Sequence, residues 1–332
     1  MVCTGRKIRI LVTQLEIVEM DERISLSDAM GLKPWRTRWQ QAKVALKGQD
    51  DVPASQFGLS SLRLLQPQIG ARLWRGKPFI PRQVILTNLF NHQQTPIAEG
   101  WSVRRTQVED FRGRKLTYDS HNGTDLSIPL GCHVFAAAEG IVVQVVSEFN
   151  RGGLKVFIDH GAGLMTSYAH LARSLVEPGD IVQRNTVIGI SGYSGLDGFV
   201  TFPFGVPHVH FNTWLNGEPV DPFPRKDEVS LWRGGEPKPA DGRADSFTAS
   251  VYDAGAVDEA IEACTTESTR NRLRGERSLA RRAALTLIEM NYYPTRFSHR
   301  PCLYAQRFER LERLSLPFSS RHFDKTVFLD EL

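Results

Sequence analysis

In the middle of the chain, short apolar-rich runs such as 141–146 and 154–158 alternate with Gly, Pro and Asn turn signals. Runs of this length separated by turns predict short strands in an antiparallel β fold. Gly140, Gly152-Gly153 and Gly161 fall where such a backbone must bend. With 332 residues and 41% hydrophobic content, the chain has room for two or three ordinary globular domains.

The same stretch carries an unusual set of side chains: His121-Asn-Gly-Thr-Asp125, Tyr168-Ala169-His170 and His208-Val209-His210. His and Asp are common zinc ligands, and a catalytic zinc takes three protein ligands and leaves one position open for water. On a strand, His208 and His210 would share a face roughly 6.6 Å apart. One could hold a metal while the other reaches a substrate. His121 and Asp125 would lie about 13 Å apart on a straight strand. They can share an ion only if the backbone bends, which the turn dipeptide Asn122-Gly123 permits.

The segment resembles the lysostaphin-like, or LytM-type, zinc metallopeptidases, which cut peptide bonds in bacterial peptidoglycan. The resemblance covers about residues 118–222. It includes Ile128-Pro-Leu-Gly131, Ala136-Ala-Ala-Glu-Gly140, Val156-Phe-Ile-Asp-His160-Gly, Thr166-Ser-Tyr-Ala-His170-Leu, Val176-Glu-Pro-Gly-Asp180, Ile188-Gly-Ile-Ser-Gly192-Tyr-Ser-Gly195 and Val220-Asp-Pro222, in the family's order. His-x-His alone would say little; the ordered set is specific. The resemblance implies a two-sheet, mainly β catalytic domain with an open cleft, suited to an extended peptide. It also implies that His121, Asp125 and His210 bind one Zn2+, with His170 and His208 as the catalytic pair. Zinc would polarise the scissile carbonyl and lower the pKa of its water, and imidazoles titrate in the range needed to move the protons. No His-Glu-x-x-His motif occurs, so the glutamate base of that other design is missing.

The expected function is therefore a zinc metalloendopeptidase acting on peptidoglycan. Two alternatives stand beside it: a zinc endopeptidase of protein or peptide substrates, and a non-catalytic wall-binding or activator module. Some relatives serve the latter role after losing their ligands, whereas all five positions are present here. Between Gly195 and His208 the chain is longer and more aromatic than the family's usual link. Phe199, Phe202 and Phe204 are expected to cap the core, or else to shape a substrate groove. His160 and His133 read as structural or surface residues and Cys132 as a small core residue. His92, His299 and His322 lie outside the matched segment and receive no role.

The resemblance divides the chain into residues 1–100, a mixed α/β region of unassigned role; 101–225, the peptidase domain; 226–248, a linker; and 249–332, a helical region. Ile8-Arg-Ile-Leu-Val-Thr looks like a strand, Ser27-Asp28 a helix cap, and Trp35, Trp39, Arg36, Arg38 and Lys43 part of a helix. Residues 1–100 carry 14 Lys+Arg against 8 Asp+Glu, and 101–225 carry 10 against 12. The basic end reads as a solvated surface, with an anionic wall polymer as the other option.

Residues 259–264 and 278–290 are rich in helix formers and expected to dock on the β domain or on a partner. Their arginines (Arg270, Arg272, Arg274, Arg277, Arg281, Arg282) are interspersed with acids and lack a stacking pattern, which argues against nucleic acid. The four cysteines (Cys3, Cys132, Cys264, Cys302) show no metal or disulfide spacing. No apolar run approaches the roughly 20 residues of a spanning helix. Residues 1–20 make a poor signal peptide because Gln14, Glu16 and Glu19 interrupt the apolar core, although the implied substrate lies outside the cytoplasmic membrane. Nothing in the sequence sets an oligomeric state.

Overall fold

The computed structural model describes residues 10–11, 24–240 and 246–332. Most of the expected strand at 8–13, as well as Cys3, lies outside them. Twelve strands join one hydrogen-bonded network. In chain order they are β1 (Ile10–Leu11), β2 (Gln83–Asn88), β3 (Thr124–Ser127), β4 (His133–Phe135), β5 (Gly140–Glu148) and β6 (Gly153–Asp159), followed by β7 (Leu164–Ser174), β8 (Ile181–Val182), β9 (Val187–Ser191), β10 (His208–Leu215), β11 (Glu218–Pro219) and β12 (Lys325–Phe328). The main order is β1-β8-β5-β6-β7-β10-β3-β2-β12, with β9 joining β4 to β7 and β11 extending from β10.

The pairings from β3 to β11 are antiparallel, as the turn signals predict, but the sheet as a whole is mixed. At one edge β12 runs parallel to β2, and at the other β1 runs parallel to β8. Parallel neighbours need a long crossover. Turn signals report only neighbours that follow one another in sequence, so these two pairings left no trace in the pattern. The regions before and after the matched segment thus supply edge strands.

Alternation along β5, β6, β7 and β10 sends one set of side chains into a core containing Val142, Val156, Ile158, Tyr168, Val209 and Phe211. Trp232, Leu314, Leu316 and Phe318 complete it from later in the chain. Leu231 and Trp232, inside the stretch read as a linker, are fully buried, and Trp232 bridges to Leu314. The opposite face receives Phe157, Met165 and Trp214, which pack against the C-terminal helices α5 (Ala254–Glu262), α6 (Glu267–Arg274) and α7 (Leu279–Tyr292). The chain beyond α7 is largely extended and ends in β12, so the C-terminal region is helical only in its first half.

Four of the six clustered arginines are engaged in ion pairs: Arg272 with Glu289, Arg274 with Glu262, Arg281 with Glu276 and Arg282 with Asp258. Trp214 holds the two layers together, its ring 5.9 Å from that of Phe157 and 6.0 Å from that of Tyr292. Trp214→Ala is expected to cost about 3–5 kcal/mol, from lost burial plus the cavity left behind. Chemical denaturation of the variant checks this; a loss below about 1 kcal/mol would mean the helices do not rest on this contact.

At the N-terminal side, α1 (Leu26–Ala29) is capped by Ser25, whose hydroxyl accepts from the Asp28 backbone N–H at 3.1 Å. The cap therefore precedes the expected Ser27-Asp28 by two residues. The expected second helix is α2 (Trp35–Lys47), and the short α3 (Pro67–Leu73) and α4 (Leu196–Thr201) come between it and the C-terminal helices. Of the basic residues of α2, Arg38 is buried and donates to the Ser147 carbonyl at 2.9 Å and hydroxyl at 2.7 Å, docking the helix on β5. Among the described residues no helix is long and apolar enough to cross a membrane.

Candidate active site

Asp125 on β3 and His210 on β10 are direct cross-strand partners. Such partners hold their Cβ atoms about 5 Å apart, and here His210 Nδ1 lies 2.8 Å from Asp125 Oδ1. His121 reaches the same point from the bend before β3. Its Nε2 is 3.1 Å from both Asp125 Oδ1 and His210 Nδ1. The bend depends on Gly123. A Cβ there would sit 2.8 Å from the Phe211 carbonyl oxygen and 2.9 Å from His210 Nε2. Among the described residues, His121, Asp125 and His210 form the one group whose ligand atoms lie close enough, within 4.8 Å of one another, to hold a metal ion.

Surrounding groups orient these three. The His121 Nδ1–H donates to the Leu89 carbonyl at 2.6 Å, which leaves the Nε2 lone pair facing the cluster. Asn88 Nδ2 donates to the outer Asp125 oxygen at 2.8 Å. Burial pushes the Asp125 carboxyl up, but the imidazoles of His121, His208 and His210 gathered around it outweigh this and hold the group well below the usual carboxylate range. An anionic oxygen beside two imidazole nitrogens is the donor set of a zinc or other borderline transition-metal site.

His208 and His210 share a face of β10, as period-two alternation predicts, and His208 Nε2 lies 3.4 Å from Asp125 Oδ1. His170 arrives differently. The β7 ladder shifts register on both sides of it, and its φ is +61°. A bulge of this kind re-aims a side chain, and a histidine at positive φ is strained backbone of the sort that clusters at functional sites. The ring of His170 ends 4.8 Å from that of His208. The Nδ1–H of His170 donates to the Ser194 carbonyl at 2.8 Å and that of His208 to the Val206 carbonyl at 2.7 Å. With Nδ1 committed in each ring, Nε2 is the nitrogen left to act. Burial, with the neighbouring His208 adding to it, pushes His170 well below the ordinary imidazole range, so it is neutral near pH 7.

Asp125, His170 and His208 border a cavity of about 430 Å³, whose far wall comes from outside the matched segment: Phe57, Leu62, Leu65 and Arg105. Phe202 and Phe204 line it as well, and with Phe199 they are 42–52% exposed. They do not cap the core. Phe202 and Phe204 shape this groove, while Phe199 rests against Trp35 with ring centroids 6.5 Å apart. His160 is fully buried between the Glu139 carbonyl and the Thr166 hydroxyl, each at 2.8 Å, which makes it structural. Cys132 is buried in the core, its thiol pushed up to about 12 by burial. His92 pairs with Asp221 at 2.9 Å.

Residues 119–222 match the model of peptidase family M23. This segment is an M23 domain. The chain is 39% identical over 134 residues to the peptidoglycan DD-endopeptidase ShyA of Vibrio cholerae, a match covering 39% of this chain and 28% of that protein. It is 35% identical over 102 residues to ShyB, a peptidoglycan DD-endopeptidase of the same organism, covering 30% and 22%. A crystal structure of a zinc-containing peptidase from Vibrio cholerae is 29% identical and covers 42% of this chain and 36% of that one, with a TM-score of 0.31, too partial a superposition to carry an argument. The chain thus spans less than a third of these two curated relatives.

Several residues of the candidate site escaped the sequence reading. Asn88 ends β2 and Leu89 follows it, and the strand's apolar run Val84-Ile85-Leu86 was a signal beyond the matched segment. Tyr193 lies inside a matched motif, its ring 5.0 Å from that of His208. Asn88→Ala is expected to weaken metal binding by about 10- to 100-fold, the usual effect of removing a partner that orients a ligand. Competition with a zinc-binding dye measures this; unchanged affinity would deny Asn88 that role.

Proposed function

We propose that the chain is a zinc-dependent metalloendopeptidase that hydrolyses peptide bonds in bacterial peptidoglycan. The observation that carries the reading is the meeting of two sets of groups at one cavity wall. One set is the buried His121, Asp125 and His210 cluster. The other is His170 and His208, each with Nδ1 tied to a backbone carbonyl. In this reading His121 Nε2, His210 Nδ1 and an Asp125 oxygen are the zinc ligands. When bound, zinc supplies an activated water and a Lewis acid for the scissile carbonyl.

The remaining steps belong to the chain. The extended substrate lies in the groove walled by Phe202, Phe204 and the 57–66 segment. The Nε2 nitrogens of His170 and His208 face the reacting carbon. One accepts the proton that the attacking water gives up, and the protonated ring returns it to the leaving amine. The carbonyl anchors at Ser194 and Val206 keep both rings from turning away, the preorganisation that such proton transfers require. The two-sheet arrangement with an open cleft belongs to this reading too. The β4–β9 ladder supports it, because it leaves the main strand order at β7 and can lie over it as a second layer.

The names of the relatives favour a bond between D-amino acids. Fragment release from purified peptidoglycan tests the reading, with metal removal as the control. Chelation should reduce release to background, and stoichiometric zinc should restore it. Release that survives full metal removal would contradict the reading, and cleavage of proteins but not of peptidoglycan would overturn its substrate.

A further inference from the structure

Arg151 stands in the turn between β5 and β6, in the run Asn150-Arg-Gly-Gly153. It is 8% exposed, yet among the described residues its guanidinium has neither an ion pair nor a hydrogen-bond acceptor, and its Nε is buried and unsatisfied. Glu148, one of the carboxylates that act on it electrostatically, is occupied. It takes the Lys155 ammonium at 2.7 Å and the Tyr293 hydroxyl at 2.8 Å. What Arg151 does have is two aromatic faces, Trp101 with its ring centre 5.6 Å away and Tyr293 at 5.9 Å. Faces of this kind stabilise a cation but leave the in-plane N–H donors of the guanidinium without acceptors. Burying a charge without hydrogen-bond partners is costly.

The side chain lines a second, smaller cavity of about 60 Å³ that is shared with His170 and His210. That volume admits a few water-sized groups, enough for a carboxylate. The turn is fixed to the site, since the Gly152 carbonyl accepts from the His170 backbone N–H at 2.8 Å. Asn122, whose side-chain oxygen is taken by Asn212, and the half-buried Asp197 also face the cavity.

We infer that Arg151 is a substrate-binding residue that receives a free carboxylate of the peptide, and so selects the bond that is cut. A planar fork of N–H donors matches a carboxylate bidentately. A main-chain carboxylate beside a scissile bond can lie only on the residue whose amine leaves. The substrate class is therefore a peptide whose leaving amine sits on a carbon that also bears a free carboxylate, either at a chain end or in a cross-link made through such an amino-acid centre. This inference rests on the peptidase reading for its substrate, and the test separates the two.

Calorimetry on the zinc-loaded protein would compare two uncleavable probes. Both are N-acetyl-D-alanyl-D-alanine with the peptide bond replaced by a ketomethylene, one ending in a carboxylate and the other in a carboxamide. The carboxylate should bind about tenfold tighter or better, the scale of a charge-assisted pair. Arg151→Gln should bring the ratio within about twofold, and Arg151→Lys should fall between, with zinc content and melting temperature reporting the fold of each variant. Equal binding of the two probes by the wild type, binding of neither, or a ratio retained in Arg151→Gln overturns the assignment. Failure of the peptidase reading shows separately, as no fragments from peptidoglycan with the binding ratio intact.

Discussion

Replacing Asp125 by alanine is expected to abolish both zinc binding and peptide hydrolysis. Its Oδ1 is the atom on which the cluster converges, 3.1 Å from His121 Nε2 and 2.8 Å from His210 Nδ1. Removal leaves two imidazoles in a buried pocket and takes away the anionic ligand. Loss of a mere supporting partner costs about 10- to 100-fold in metal affinity, so loss of a ligand should exceed that range. His210→Ala should behave alike. Equilibrium dialysis against zinc reads the result, and near-native affinity in Asp125→Ala would show that the cluster is not the metal site.

The second large effect separates metal holding from chemistry. His208→Ala and His170→Ala should each keep about one zinc per chain and lose about 10²- to 10⁴-fold in turnover, the range that a positioned acid or base contributes. The geometry behind this is specific. Neither ring belongs to the close metal cluster, and each is held at Nδ1 by a backbone carbonyl, which leaves Nε2 as its working nitrogen. Steady-state rates on one defined peptide check it. A His208→Ala enzyme within about threefold of wild type would remove that residue from the mechanism.

The central domain was legible because its signals are local. Turn residues and short apolar runs mark β5, β6 and β7, and the bend at Asn122-Gly123 follows from residue type. The pairing that matters most was less visible: Asp125 meets His210 only through cross-strand register, across 85 positions of chain. No spacing rule placed His170 either, since a bulge with positive φ turns it toward the site.

The aromatic link misled for a related reason. Aromatic side chains usually bury, but Phe199 and Phe202 lean on Trp35 and Trp74, partners from the region before the domain that pattern alone does not bring near. The parallel edge strands β1 and β12 and the orienting Asn88 share that origin. They lie outside the matched segment and reach the domain through long-range contacts.

Zinc content and released peptide fragments, measured side by side for wild type and His208→Ala on purified peptidoglycan, test the central claim most directly. The account predicts about one zinc per chain in both proteins and fragments only from the wild type. A wild-type protein that takes up no zinc even when it is supplied would contradict it and leave a binding module in place of an enzyme.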